Sequence, residues 1–216
     1  MARIVILGGH GRVALLLERL LAGRGDEVDA VIRNPDHADE VAATGARPVV
    51  ADLEAYDVAR LADLLAGHDA VVWSAGAGGG NPARTFAVDR DAALRSMEAA
   101  RVAGVRRYVM VSYFGASLEH DVPADHPFFA YAEAKAAADA HLRASDLDWT
   151  VLAPSTLGGG PGTGRIDVEA TESGTVDRAD VAAVVAATLD DDRTIGRTIR
   201  FNAGDVPIAD ALGTAG

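Results

Sequence analysis

Short apolar runs alternate with amphipathic segments along the chain. Residues 4–7 are four consecutive apolar residues, which is typical of a strand buried on both faces of a sheet. The next segment has apolar residues at helical spacing, namely Val13, Leu16, Leu17, Leu20 and Leu21. The same criteria predict strands at 27–32, 47–51, 69–74, 108–112, 149–153 and 198–202, and helices near 58–65, 85–103, 128–144 and 177–189. This alternation predicts an α/β fold, a Rossmann-type doubly wound parallel sheet in three α/β/α layers, with 1–216 as a single domain.

The turn between the first strand and the first helix is rich in glycine. Two patterns overlap there, G-x-x-G-x-x-A from Gly8 and G-x-G-x-x-A from Gly9, and both end at Ala14. The free amides and the dipole at the helix start favour an anion, so the turn predicts a dinucleotide pyrophosphate rather than an ordinary strand-to-helix turn. The predicted contacts are Gly8, His10, Gly11, Arg12 and Val13.

The residue after the second strand indicates which dinucleotide binds. NAD sites place an acidic residue there, against the ribose 2′-hydroxyl, whereas an arginine accommodates the 2′-phosphate of NADP. The residue is Arg33, and Arg12 could reach the same phosphate. NADP(H) is therefore expected to be preferred over NAD(H). The alternative is that Arg33 begins a solvated loop.

Two further strand ends supply candidate cofactor contacts, because loops at the carboxyl ends of parallel strands line the ligand crevice. Asp52 follows the third strand, where it could bond the adenine amino group or cap the next helix. Ser74, Ala75 and Gly76 follow the fourth strand, and such small residues would let a cofactor approach the backbone. The glycines at 78–80 could instead be merely flexible.

The candidate proton donor lies on the helix predicted near 128–144. Tyr131 and Lys135 are four residues apart and share one helix face, in line with Ala138 and Leu142, so they should point inward rather than form a solvated pair. Lys135 is the only lysine of the chain. An ammonium beside a phenol should lower the phenol's pKa and make Tyr131 a usable general acid for a carbonyl that receives hydride.

A serine at the end of the fifth strand is the candidate substrate holder. Ser112 occupies the crevice side of the sheet, where its hydroxyl could hold the substrate oxygen. Ser117, in the loop that follows, is the alternative.

Other polar segments have simpler interpretations. The run 89–91 is expected to be a solvated helix face, and the acidic and histidine residues of the loop 113–127 lack metal-ligand spacing, so no metal is expected. The glycine-rich stretch 158–164 lacks the G-K-[ST] ending of a P-loop and is interpreted as a lid or a plain loop. Asp177 is expected to cap the last predicted helix, and the tail 213–216 to fray.

Composition excludes several classes of function. The 216 residues are 49% hydrophobic and 24% charged, as in a globular domain, and 32 acidic against 20 basic residues give a net charge of −12. Such a charge opposes nucleic acid or an anionic membrane as a partner. The absence of cysteine excludes disulfides and thiolate chemistry. Without a long apolar run or a cleavage pattern, the protein is expected in the cytoplasm, with a small-molecule substrate; its oligomeric state stays open.

The features described above resemble, in their order, the short-chain dehydrogenase/reductase superfamily, and more closely its atypical NAD(P)H-binding branch with similarity to NmrA-like proteins. They include the glycine turn, Arg33, Asp52-Leu53, Ser74-Ala75-Gly76, Ser112, Tyr131-x-x-x-Lys135, Pro154 and the stretch 176–181. The resemblance implies that Asp52 and Leu53 border the adenine, that Ala75 and Gly76 approach the cofactor, and that Pro154 begins a segment facing the nicotinamide. Ala14 departs from the pattern by replacing the third glycine.

The expected function is NADPH-dependent reduction of a small carbonyl, quinone or similar acceptor by hydride transfer. Tyr131 is the expected acid, Lys135 tunes its pKa and anchors the ribose, and Ser112 holds the substrate. Loops at about 113–127 and 155–176 are expected on the substrate side. The alternative is an NADP(H)-binding redox sensor without turnover, although a sensor needs no proton donor. A nucleotide-sugar epimerase would need a sugar-binding domain for which the chain is short.

Overall fold

A computed structural model describes residues 1–78 and 81–214, with side chains up to Gly213. Gly79, Gly80, Ala215 and Gly216, on which the predictions of a flexible loop and a frayed tail partly rest, lie outside the described residues. The strands are β1 (Arg3–Leu7), β2 (Glu27–Ile32), β3 (Arg47–Val50), β4 (Ala70–Trp73), β5 (Arg107–Val111), β6 (Asp148–Pro154), β7 (Thr156–Gly158), β8 (Arg165–Asp167), β9 (Thr175–Asp177), β10 (Arg197–Ala203) and β11 (Val206–Pro207).

The helices alternate with these strands. They are α1 (Arg12–Gly23), α2 (Ala38–Ala42), α3 (Val58–Leu65), α4 (Pro82–Thr85), α5 (Ala93–Ala103), α6 (Phe129–Arg143), α7 (Arg178–Leu189) and α8 (Ile208–Thr214). A π-helical segment, Phe86–Ala92, joins α4 to α5, and single 3₁₀ turns occur at Pro35–His37 and Asp192–Thr194. No helix of the part described is both long and apolar enough to cross a membrane.

The large sheet has the strand order β11-β8-β10-β6-β5-β4-β1-β2-β3, and β1 to β6 and β10 run parallel. Each face carries its own hydrophobic core, under α1 and α7 on one side and under α3 and α5 on the other. The predicted three-layer Rossmann-type α/β fold is confirmed. Since β1 pairs with β2 on one side and β4 on the other, the strand order reverses beside β1, and a ligand crevice is expected at its carboxyl end.

The far edge of the sheet was not predicted. β8 pairs antiparallel with β10 and β11, so the sheet is not wholly parallel, and β10 is not the last element because β11 and α8 follow it. β7 and β9 form a separate two-stranded ladder. β7, β8, β9 and β11 are two or three residues long, too short for an alternation of apolar and polar residues to be visible in the sequence.

The buried face of α1 differs from the predicted stripe. Leu20 is 44% exposed, whereas Glu18 is fully buried beside Leu17 and Leu21. The Thr44 hydroxyl donates to Glu18 Oε2 at 2.9 Å, and Glu18 Oε1 has no hydrogen-bond partner among the described residues. α1 packs against both the sheet and α7, which turns the face that holds Glu18 inward.

Burial raises the pKa of Glu18 from 4.5 to about 7, and the Thr44 hydroxyl opposes part of that effect. For an acid whose pKa is higher in the folded state, stability is greatest at low pH and falls as the pH rises from 4.5 to about 7. Glu18→Gln removes this penalty. Urea unfolding at about pH 5 and about pH 8 should therefore show that the free energy of unfolding of the variant, relative to that of the wild type, increases by about 2 to 3 kcal/mol from the lower to the higher pH.

Glu169→Gln is the matched control, because Glu169 is exposed in the loop after β8. This control should change the unfolding free energy equally at both pH values. If Glu18→Gln also changed the unfolding free energy equally at both pH values, the interpretation that Glu18 is buried and ionises in this range would be contradicted.

Candidate active site

The glycine turn fits tightly against its neighbours. Gly8 has φ +95°, and a Cβ there would lie 2.4 Å from the Cα of Ala75; a Cβ at Gly9 would lie 2.6 Å from the Cβ of Ala30. Both positions therefore require glycine. Gly11 is the N-cap of α1 and offers no side chain to the first amides of the helix. These amides can bind an anion, so the turn fits a dinucleotide pyrophosphate.

A cleft of about 420 Å³ opens at the carboxyl ends of β1 to β4. The predicted cofactor residues that line it are Gly8, His10, Gly11, Arg33, Asp52, Leu53, Ser74, Ala75 and Gly76. The other predicted contacts, Arg12, Val13, Lys135 and Pro154, are not among its lining residues. Val13 instead packs into the core with 8% exposure. The structure thus brings nine of the thirteen predicted cofactor residues together at one cleft.

The end of the cleft near β2 carries several cationic or titratable side chains. Arg33 Nη1 lies 3.2 Å from Glu54 Oε1, and more than half of its side chain is exposed. The imidazole rings of His10 and His37 are stacked 3.5 Å apart, and His10 Nε2 lies 2.7 Å from Glu40 Oε2. His37 lines the cleft but was not predicted. Its position four residues after Arg33, past Pro35, was the available signal.

Asp52 does not cap a helix. Its carboxylate accepts the Glu54 amide at 3.0 Å, and α3 begins later, with Asp57 as the N-cap that accepts the Arg60 amide at 2.9 Å. The helix-cap alternative for Asp52 is therefore wrong. Its contact with adenine stays a prediction.

The expectation that 89–91 forms a solvated face is wrong for Asp89. Asp89 is 1% exposed, and its Oδ2 accepts the amide of Ala77 at 2.9 Å. It lies within the π-helical segment, a type of distortion that often occurs at functional sites. Burial raises the pKa of Asp89, against the lowering effects of the Ala77 amide and Lys135. Asp89 thus holds the loop after β4, which lines the cleft, and its charge acts on the buried Lys135.

Lys135 is 1% exposed, so the predicted inward orientation is confirmed. Its Nζ donates to the carbonyl oxygen of Val111 at 2.8 Å and lies 3.3 Å from Met110 Sδ. Burial lowers the pKa of Lys135, while Asp139 and Asp89 act in the opposite direction. The ammonium is therefore directed to the end of β5.

The expected effect on Tyr131 is wrong in direction. Its pKa is raised, first by burial and then by the carboxylates of Asp89 and Asp139. The ring packs against Tyr113 and Phe128, with centroids 5.5 and 5.1 Å away. The phenol consequently stays protonated at neutral pH, so it holds a proton that it can donate rather than existing as a phenolate.

Ser112 and Asp139 form a second unpredicted link in this cluster. Ser112 is 5% exposed, and its Oγ donates to Asp139 Oδ2 at 2.5 Å. Asp139 is 1% exposed and continues the spacing of Tyr131 and Lys135 by four more residues, a signal that the sequence contained. Burial raises the pKa of Asp139, opposed by Lys135 and Ser112. The alternative serine, Ser117, is exposed in the loop and accepts the Glu119 amide.

The stretch 158–164 is held against the start of α7. Asp177 accepts the amide of Gly160 at 2.9 Å, and Asp180 accepts those of Thr163 and Gly164 at 2.9 and 2.7 Å. These bonds favour the plain loop over the lid. Asp177 occupies the N-cap position of α7, but its carboxylate accepts the Gly160 amide and makes no capping hydrogen bond to the helix. The predicted capping role of its side chain is therefore wrong.

The loop 113–127 surrounds a second cavity, of about 580 Å³. His120 lines it, with Nδ1 accepting the Val122 amide at 3.2 Å and Nε2 lying 3.1 Å from Glu133 Oε1. His120 thus connects this loop to α6, on which Tyr131 and Lys135 lie.

The parallel sheet, the glycine turn and the cleft beside β1 define a dinucleotide-binding α/β protein. Residues 8–192 match the family described as NAD(P)H-binding, and the chain belongs to that family. A nicotinamide dinucleotide is accordingly its cofactor class, within the superfamily of proteins like the short-chain dehydrogenases.

Relatives match over nearly their whole length. The chain is 35% identical to "Uncharacterized sugar epimerase YhfK" of Bacillus subtilis, over 97% of this chain and 98% of that protein. A Bacillus halodurans structure provisionally named an NAD-dependent epimerase/dehydratase is 32% identical, with a TM-score of 0.90 and 99% of both chains covered. The oxidoreductase ylbE of Lactococcus lactis is 27% identical, with a TM-score of 0.88, covering 98% of this chain and 95% of that one.

Proposed function

We propose that the protein is an NADPH-dependent reductase of a small carbonyl, quinone or similar acceptor. The observation that carries this proposal is the cluster at the end of β5, where the only lysine of the chain is buried and feels the charges of Asp89 and Asp139, the same two carboxylates that raise the pKa of Tyr131. Asp89 connects the cluster to the cofactor cleft through Ala77. Burying three ionisable groups costs free energy, so such an arrangement is typical of a functional site.

The residues divide between holding the cofactor and handling the proton. The turn at Gly8 and Gly11 would hold the pyrophosphate, Asp52 and Leu53 the adenine, and Arg33 the 2′-phosphate. A reduced nicotinamide held by these residues would supply the hydride for an acceptor carbon. As the carbonyl π bond breaks, Tyr131 gives its phenolic proton to the acceptor oxygen, and Ser112 orients that oxygen. Lys135, whose Nζ donates to the carbonyl oxygen of Val111, would stabilise the phenolate left behind until solvent returns the proton.

The loops at 113–127 and 155–176 would supply the substrate side of a single domain that spans 1–216. The second cavity lies within the first of these loops, which supports a small molecule as the partner. The stretch 176–181 and the Tyr131-x-x-x-Lys135 spacing support a place in the atypical, NmrA-like branch.

Arg33→Asp should narrow or reverse a preference for NADPH over NADH. The arginine supplies a guanidinium for the 2′-phosphate, whereas an aspartate repels that phosphate and accepts a hydrogen bond from a 2′-hydroxyl. Calorimetric titration should show the dissociation constant for NADH divided by that for NADPH falling by at least about tenfold, which corresponds to about 1.4 kcal/mol.

Arg60→Asp is the matched control, because it makes the same charge change at a residue that does not line the cleft. Arg60 lies in the first turn of α3, where an acidic residue is tolerated. This control should leave the ratio unchanged. Equal affinity of the wild type for NADPH and NADH would contradict the proposed preference for NADP(H) over NAD(H).

The names of the relatives favour a second candidate, an epimerase. The B. subtilis relative is of nearly the same length, so a short chain does not argue against that activity. An acceptor screen with quinones, aldehydes, ketones and nucleotide sugars separates the candidates. A reductase consumes NADPH with an acceptor, an epimerase converts a sugar without net consumption, and a redox sensor binds NADPH but converts nothing.

A further inference from the structure

Asp139 is buried at the site without an assigned role. It receives the Ser112 hydroxyl on Oδ2 at 2.5 Å, while Oδ1 has no hydrogen-bond partner among the described residues. A buried carboxylate oxygen without a hydrogen-bond partner costs free energy, and protonation of the group reduces that cost.

The bond between these two residues restricts what Ser112 can do. A hydroxyl carries one proton, and if Ser112 gives that proton to an ionised Asp139 it can only accept hydrogen bonds from a ligand. A carbonyl oxygen is also only an acceptor, so Ser112 could not hold it. If Asp139 carries the proton, the bond reverses, and the Ser112 proton becomes available to a carbonyl oxygen.

We propose that Asp139 is a positioning residue that sets the direction of the Ser112 hydroxyl, making it a donor to the acceptor oxygen when Asp139 is protonated and an acceptor when Asp139 is ionised. The inference rests on the proposed reductase function. It predicts that the protonated form serves the reduction of a carbonyl and that the ionised form serves binding of an alcohol.

The groups around Asp139 act in both directions. Lys135 and Arg143, on its own helix, favour the carboxylate, as does the Ser112 hydroxyl. Asp89, on the π-helical segment packed against α6, adds a second negative charge to the cluster, and Tyr113 and Tyr131 both sense the charge of Asp139. Burial dominates and raises the pKa of Asp139. The donor form of Ser112 is thus expected below that pKa and lost as the pH rises through it.

Asp139→Asn tests this directly. The amide nitrogen should face Ser112, because the surroundings of Oδ1 offer no acceptor for its protons, and it then reproduces the protonated form at every pH. The wild-type rate of reduction should fall about tenfold per pH unit above the pKa of Asp139, towards the level of Ser112→Ala, about 10² to 10³ lower. The Asp139→Asn rate should stay flat near the wild-type maximum, with an unchanged NADPH dissociation constant. A wild-type pH profile in Asp139→Asn would overturn the inference.

A second measurement does not need turnover. Infrared difference spectra of the NADPH complex, wild type minus Asp139→Asn, should show a protonated carboxyl that disappears as the pH is raised through the pKa of Asp139. A carboxylate that stays ionised at every pH at which the protein is folded would overturn the role of Asp139. If this band titrates and yet no acceptor in the screen is reduced, the proposed reductase function fails separately from the state of Asp139.

Discussion

Tyr131→Phe should lower turnover by about 10² to 10⁴ while leaving NADPH affinity nearly unchanged. The change removes a single hydroxyl and keeps the ring that packs against Tyr113 and Phe128, so the helix and its aromatic neighbours should stay in place. Burial and two carboxylates hold the pKa of this phenol above its ordinary value. The wild-type group therefore keeps its proton across the neutral range, and its loss leaves the acceptor oxygen without a donor.

Tyr113→Phe is the matched comparison, since it removes a neighbouring hydroxyl from the same aromatic cluster. Its turnover should fall far less. Steady-state rates and fluorescence titration with NADPH, measured on both variants, distinguish loss of chemistry from loss of binding. Undiminished turnover in Tyr131→Phe would refute the acid role.

Lys135→Met should lower the free energy of unfolding by about 3 kcal/mol at neutral pH. Methionine matches the length of the lysine stem but removes the cation beside Asp89 and Asp139, both of which are 1% exposed. The pKa values of both carboxyls should then rise further. Because acids with raised pKa values lose stability as the pH increases, the deficit of the variant should be small in acid and grow with pH. Cofactor affinity and turnover should also fall.

Adding Asp139→Asn to Lys135→Met removes one of the two uncompensated charges and should recover part of the loss. Urea unfolding at several pH values measures the three proteins. A deficit that does not change with pH, or that the second substitution does not reduce, would show that packing rather than charge explains the effect.

The sequence predicted the parts of the site that depend on neighbouring residues along the chain. Gly8 needs a positive φ and lies against Ala75, and Arg33 follows β2 directly, so strand, turn and helix signals were enough to find them. Lys135 could be placed inward because Ala138 and Leu142 continue its helix face. These inferences used spacings of a few residues, where periodicity and turn chemistry are informative.

The parts that were missed depend on packing between distant elements. Asp89 is followed by Arg90 and Asp91, which pair with each other in a partly solvated position, so the run looked like a solvated face. Asp89 instead lies within the π-helical segment and accepts the Ala77 amide, which the sequence did not reveal. Glu18 is buried because α1 packs against α7, far along the chain. The direction of the Tyr131 pKa shift was predicted wrongly because burial, and then the carboxylates of Asp89 and Asp139, raise this pKa, whereas the sequence reasoning considered only the neighbouring lysine.

Anaerobic measurement of NADPH consumed per acceptor reduced, with wild type and Tyr131→Phe side by side, is the sharpest test of the proposed reductase function. The proposed function predicts one NADPH oxidised for each acceptor molecule that gains two electrons and two protons, at a rate that collapses in Tyr131→Phe. NADPH binding without consumption of any quinone, aldehyde or ketone, or equal consumption by both proteins, would contradict it.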